Sequence, residues 1–145
     1  MRRIFVCPIK AIKDEIEGSS AYYILCSMEE YENNYPNALK ISFLDTELPS
    51  HPWVFTDKMA HQIIDYFYNT PPDADVFVCC DCGESRSAAI AGALMRSQGG
   101  DEASVCDGPF FHPNAYVYFV MCKCLNLPLY DGFSWEEFDG WYDNT

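Results

Sequence analysis

The chain has 145 residues, 49% of them apolar and 16% aromatic, which suits one buried core and excludes disorder as the main state. Nine Lys and Arg against 22 Asp and Glu leave a formal charge of −13, a poor electrostatic partner for nucleic acid or anionic lipid. A small anionic substrate stays compatible, because one positively lined pocket can work inside a negative surface.

Met1 to Lys10 offers no apolar stretch long enough for a signal peptide, and no run approaches the roughly 18 apolar residues of a membrane span. With eight cysteines read as reduced thiols, these features predict a cytoplasmic protein that does not meet membranes. Arg3 to Cys7 reads as a first strand and Ile9 to Glu17 as a short helix. Ala21 to Cys26, rich in aromatic and branched residues, reads as a buried strand. Glu29 to Asn37 reads as a loop, and Leu39 to Leu44 as a third strand running into a proline-bearing loop, Asp45 to Pro52. Thr56 suits a helix N-cap, and Asp57 favours the positive end of the helix dipole. Met59, Ala60, Ile63, Ile64 and Phe67 then recur at helical spacing until Pro71 and Pro72 intervene.

Val76 to Cys79 is wholly apolar, as in a parallel strand buried on both faces. Ser87 to Ser97 reads as a deep helix of small and apolar residues. Gly99 to Gly108 reads as a polar loop, Pro113 as the first turn of a further helix, and Ser134 to Glu137 as a capping box. No composition shift marks a linker, so residues 1–145 read as one α/β domain, a mostly parallel sheet flanked by helices. The clusters Cys79-Cys80-Asp81-Cys82 and Cys122-Lys123-Cys124 lack the two separated pairs of a zinc site.

The chemistry concentrates in Val78-Cys79-Cys80-Asp81-Cys82-Gly83-Glu84-Ser85-Arg86-Ser87. A turn from a buried strand into a buried helix gathers backbone N–H groups at one helix N-terminus, an anion site before any side chain is considered. Gly83 lets the backbone curl. The planar fork of Arg86 can grip two oxygens of a phosphate. A thiol at Cys80 sits at the focus of these donors, which favour thiolate over thiol.

Cys80-x-x-Gly83-x-x-Arg86-Ser87 resembles the signature of the cysteine-dependent protein tyrosine phosphatases, and Gly83-x-Ser85-Arg86-Ser87-Ala88 resembles the dual-specificity branch with its compact bacterial relatives. The resemblance runs from about Leu39 to Ser97. It implies that Cys80 is a nucleophile forming a phosphocysteine and that Arg86 binds phosphate and steadies the transferring group. It implies that the amides of Asp81, Cys82, Gly83, Glu84, Ser85 and Arg86 cradle the oxygens, and that Ser87 donates to the Cys80 sulfur. It implies no metal and no cofactor. The general acid falls on Asp45, in the loop after the third strand, with Glu47 and Asp57 as lesser candidates. Leu48, Pro49, Pro52 and Trp53 are then expected to shield the site from water.

Two departures stand out: Cys79 occupies the place of the usual His before the nucleophile, and Asp81 and Glu84 bring carboxylates into the loop, read here as facing outward. They oppose anion capture, which ranks phosphoprotein above inositol polyphosphates or RNA ends. Structural alternatives remain for single residues: a buried thiol for Cys80, an ion-pair partner for Arg86, a turn cap for Asp45. Cys26, Cys79 and Cys82 are candidate resolving thiols for Cys80. For the whole chain the readings are a phosphatase for phosphotyrosine, with phosphoserine and phosphothreonine or small phosphomonoesters beside it; a catalytically weak phosphate-binding module; and a sulfur-transfer or arsenate-reducing protein. The position of the loop, far from the N-terminus, counts against the last.

Overall fold

The computed structural model describes residues 1–12, 20–29, 37–106 and 111–128. Among them, β1 (Arg3–Pro8), β2 (Tyr22–Cys26), β3 (Ala38–Ile41) and β4 (Asp75–Cys80) form one sheet in the order β1-β4-β2-β3. Each neighbouring pair is parallel. The helices are α1 (Ile9–Ile12), α2 (Asp57–Asn69), α3 (Arg86–Ser97), α4 (Ala103–Cys106) and α5 (Ala115–Cys124). None is long and apolar enough to cross a membrane among the described residues.

An inner parallel strand must bury both faces, and β4 does so because it has no polar residue after Asp75. Successive side chains alternate. Val76, Val78 and Cys80 enter the larger core, with Ala60, Ile63 and Phe67 of α2, Ile90 and Leu94 of α3, and Val117 to Cys122 of α5. Cys79 enters a smaller core on the opposite face, with Ile9, Ile12, Tyr23 and Leu25. Burial of a side chain such as Ile90 or Leu94 contributes about 1.5–3 kcal/mol. The small residues Ala88, Ala89, Ala91, Gly92 and Ala93 let α3 lie buried along its first nine residues.

The start of α2 follows the expected cap: Thr56 Oγ1 accepts from the Met59 amide at 3.2 Å. On the same helix the Tyr66 hydroxyl accepts from the Tyr23 amide at 3.0 Å and donates to the Asn37 carbonyl. Burial of that hydroxyl pushes its pKa up to about 12, so α2 is pinned to the start of β2 and β3 by a neutral group.

The structure corrects several boundaries. The third strand stops at Ile41, because its partner β2 ends at Cys26 and the Ser27 amide closes the ladder on the Ile41 carbonyl. The polar segment after Gly99 contains the short helix α4. Pro113 precedes the helix it was expected to begin: Asn114 is the N-cap of α5, its Oδ1 accepting from the Val117 amide at 3.0 Å. The expected helix to Glu17, the loop from Glu29 to Asn37 and the capping box at Ser134 fall wholly or largely outside the described residues.

Candidate active site

The loop from Cys80 to Arg86 joins the C-terminal end of β4 to α3. Gly83 has φ +69°, and a Cβ there would lie 2.5 Å from the Pro8 nitrogen and 2.6 Å from the Cys7 carbonyl carbon. Only glycine permits both this backbone and this approach. The outer side of the loop is tied down through its carbonyls: His112 N–H donates to Glu84 O at 2.9 Å and Asn114 N–H to Ser85 O at 3.1 Å. The amides of Cys82, Glu84 and Ser85 donate to no protein acceptor among the described residues.

Cys80 is buried at 2% exposure. Its sulfur accepts from the Gly83 amide at 3.2 Å and lies 3.1 Å from the Ser87 hydroxyl. Arg86, 7% exposed, donates Nη1–H to the Phe43 carbonyl and Nη2–H to Asp81 Oδ2, each at 2.8 Å. Its Nε is buried without a partner among the described residues. Burial opposes the arginine charge, yet the Asp81 hydrogen bond and the charges of Asp81, Cys80 and Asp45 hold its pKa above the ordinary value.

Asp45 does reach this loop. Its Oδ1 accepts from Ser85 Oγ and from Asn114 Nδ2, each at 2.8 Å, while the residue as a whole is exposed. Cys80, Arg86, Ser87 and Asp45 therefore converge, together with the loop residues Asp81 to Ser85. The lesser acid candidates are engaged elsewhere: Glu47 accepts from the Ala115 amide at 3.0 Å at the start of α5, and Asp57 pairs with Lys123 at 3.0 Å.

Three expectations about this region are corrected. The Asp81 carboxylate does not simply face outward, because Arg86 on one side and Ser27 Oγ (2.7 Å) on the other draw it into the loop's base; Glu84 is exposed as expected. Leu48 and Trp53 stand in solvent, 63% and 58% exposed, while Val54 and Phe55 anchor that loop in the core. Cys79 is no resolving partner for Cys80, since adjacent strand residues point to opposite faces. Cys26 is the direct cross-strand partner of Cys80, and burial followed by the Cys80 charge pushes its thiol far up. Cys82 is exposed.

Sequence reasoning missed Asn114, Ser27 and the Phe43 carbonyl as supports of the loop. For Asn114 a signal existed: Asn before an apolar helical run is a preferred N-cap.

No protein-family profile and no curated protein sequence matches the chain. Solved structures do. PTPMT1 superposes with a TM-score of 0.57 at 16% identity, covering 86% of this chain and 90% of its own. Its complex with PI(5)P gives a TM-score of 0.58 at the same identity and coverage. Human DUSP28 gives 0.55 at 17% identity, over 85% of this chain and 91% of its own. With its parallel sheet, its glycine-bearing loop after β4 and the buried helix behind it, the chain has the fold of the cysteine-dependent dual-specificity phosphatase-like proteins.

Proposed function

We propose that the chain, as one catalytic domain over residues 1–145, hydrolyses phosphomonoesters through a phosphocysteine at Cys80. The observation that carries this reading is the buried Arg86 guanidinium with an unpartnered Nε, in the same loop as a thiol that receives the Gly83 amide and contacts Ser87. A phosphoryl dianion supplies the acceptor that Nε lacks and meets the open amides of the loop. An unsatisfied buried donor costs about 1–3 kcal/mol, so an anion there is favoured beyond its charge.

In the first step the Cys80 sulfur attacks phosphorus and the P–O bond to the leaving group breaks. Asp45, protonated, gives its proton to the departing oxygen. In the second step water attacks the phosphocysteine, Asp45 takes a proton from it, and the sulfur leaves with the Ser87 hydroxyl donating to it. Arg86 and the amides hold the equatorial oxygens throughout. No metal or cofactor enters this scheme. The substrate class is a phosphorylated protein, on tyrosine or on serine and threonine, or a small phosphomonoester. The charge of −13 disfavours nucleic acid. Cys7, Cys26, Cys79, Cys80, Cys82, Cys122 and Cys124 are thiols, which fits the reducing cytoplasm.

One observation favours the second reading, a phosphate-binding module of weak activity: Asp81 already neutralises Arg86. An aryl phosphate that releases a coloured phenol separates the two. Turnover is expected in the wild-type chain and none above buffer in Cys80→Ser, which still binds vanadate or phosphate. Arg86→Ala is expected to lose at least tenfold in kcat/KM and to weaken binding, because a charge-assisted contact strengthens in the transition state. Binding of phosphate without turnover by the wild-type chain selects the weak module; turnover surviving Cys80→Ser assigns the nucleophile elsewhere.

A further inference from the structure

Cys7 and Cys79 are direct partners across the parallel β1–β4 pair, and their sulfurs lie 3.3 Å apart as thiols. The pair has no part in the chemistry above: Cys79 points away from Cys80, into the smaller core, and Cys7 packs against that core. Adjacent strands run about 4.7–4.9 Å apart, inside the roughly 4.4–6.8 Å between Cα atoms that a disulfide spans. The sheet therefore presents the two residues near bonding distance, and closing the sulfurs from 3.3 Å to about 2.05 Å draws the Cys7 backbone toward Cys79 as well. The Cys7 hydrogen bond, then burial, push the Cys79 thiol far up. Cys7 is half-buried where Cys79 is fully buried, so Cys7 is the sulfur an oxidant reaches.

We propose that Cys7 and Cys79 form a second covalent site, a dithiol that hydrogen peroxide converts to a disulfide and whose closure weakens anion binding in the Cys80–Arg86 loop. The Cys7 thiol gives up its proton and its sulfur attacks one peroxide oxygen. The O–O bond breaks, leaving a sulfenic acid and one water. The Cys79 thiol gives up its proton and attacks the Cys7 sulfur. The S–S bond forms, the S–O bond breaks, and hydroxide leaves as the second water. Two thiols are oxidised by two electrons and one peroxide is reduced to two waters.

The route to the loop is short. The Cys7–Pro8 peptide packs so closely on Gly83 that no Cβ fits between them, and the Gly83 amide is the one that donates to the Cys80 sulfur. Movement of Cys7 toward Cys79 thus displaces a group of the loop. Loss of one hydrogen bond to a charged group costs about tenfold or more in affinity. This coupling rests on the anion-binding reading of the loop; the disulfide itself does not.

The test uses Cys80→Ser, so that oxidation of the candidate nucleophile cannot be mistaken for the effect. The chain is treated with hydrogen peroxide and followed by three readouts: non-reducing peptide mapping, binding of inorganic phosphate by calorimetry, and amide hydrogen exchange of residues 81–87. The expected result is a linked Cys7–Cys79 peptide lighter by two hydrogens and phosphate binding weakened about tenfold or more. Exchange in the loop is altered, and dithiothreitol reverses all three. In Cys7→Ala/Cys80→Ser the same treatment leaves phosphate affinity unchanged. Oxidation of the exposed Cys82 while Cys7 and Cys79 stay thiols overturns the proposal, as does a disulfide that changes neither affinity nor exchange. A reduced chain that binds no phosphate overturns the function proposed for the loop instead; the linkage and the exchange rates then decide the dithiol alone.

Discussion

At the scale of single residues, Asp45 carries the sharpest mechanistic consequence. Its Oδ1 is held by two donors, one in the Cys80–Arg86 loop and one at the N-cap of α5, so its carboxyl is fixed beside the loop rather than swinging free. As general acid it matters in proportion to how badly the leaving oxygen needs a proton. Asp45→Asn keeps the size and an acceptor oxygen but carries no transferable proton. For an alkyl phosphate the expected loss in kcat is about 10²–10⁴-fold; for an aryl phosphate with a stable phenolate the loss is much smaller. Equal losses on both substrates would mean that the substitution damages the loop, and no loss on either would move the acid elsewhere. Neighbouring carboxylates do not compete: Glu47 holds the Ala115 amide and Asp57 holds Lys123.

At the scale of elements, two helix caps of the same chemistry allow structure and catalysis to be separated. Thr56 caps α2 and Asn114 caps α5, and an N-cap residue replaced by alanine costs about 0.5–2 kcal/mol. Asn114 alone also reaches Asp45 Oδ1 at 2.8 Å and the Thr46 carbonyl at 3.1 Å through Nδ2. Thr56→Ala is therefore expected to lose about 1 kcal/mol in denaturant unfolding, and Asn114→Ala more, because it also gives up two hydrogen bonds of a buried side chain. Of the two, only Asn114→Ala is expected to lower kcat for the poor leaving group; Asn114→Asp keeps the cap oxygen but sets a buried carboxylate oxygen against Asp45 Oδ1 and the Thr46 carbonyl, so it should lose both stability and kcat. Matching kinetic losses in both alanine variants would reduce Asn114 to a cap. The same elements show what a sequence reveals. The strand β4, the Gly83 turn and helix α3 were legible because each is written locally, as an apolar run, a glycine and a small-residue run. The supports of the loop were not, because Ser27–Asp81, Phe43–Arg86 and Asp45–Asn114 join positions 54, 43 and 69 apart. The hold of Ser27 on Asp81 is illegible for that reason: nothing near Asp81 in sequence reveals Ser27. The Cys7–Cys79 contact spans 72 positions and follows only from the strand order, in which β1 skips β2 to lie beside β4.

At the scale of the whole molecule, a charge of −13 must act on any phosphate that approaches. The long-range field repels a dianion, while the local attraction comes from Arg86, buried and already paired with Asp81. Salt treats the two unequally. Charges in solvent are screened over about 8 Å at physiological ionic strength, buried ones far less. Raising salt from about 0.02 to 0.3 M, where the screening length shrinks severalfold, should weaken the repulsion and leave the loop's grip intact. KM for a phosphopeptide with glutamates beside the phosphorylated residue is therefore expected to fall. With arginines at those positions, attraction to the acidic surface is what salt removes, and KM is expected to rise. In both cases kcat should change less than KM, since the Cys80 and Arg86 contacts of the chemical step are buried. Measuring both peptides at the two salt concentrations decides the point. If KM stays unchanged for both, Arg86 and the loop amides dominate the encounter and the surface charge is irrelevant to it; if KM falls for both, the field acts on the phosphate alone and the flanking residues go unread.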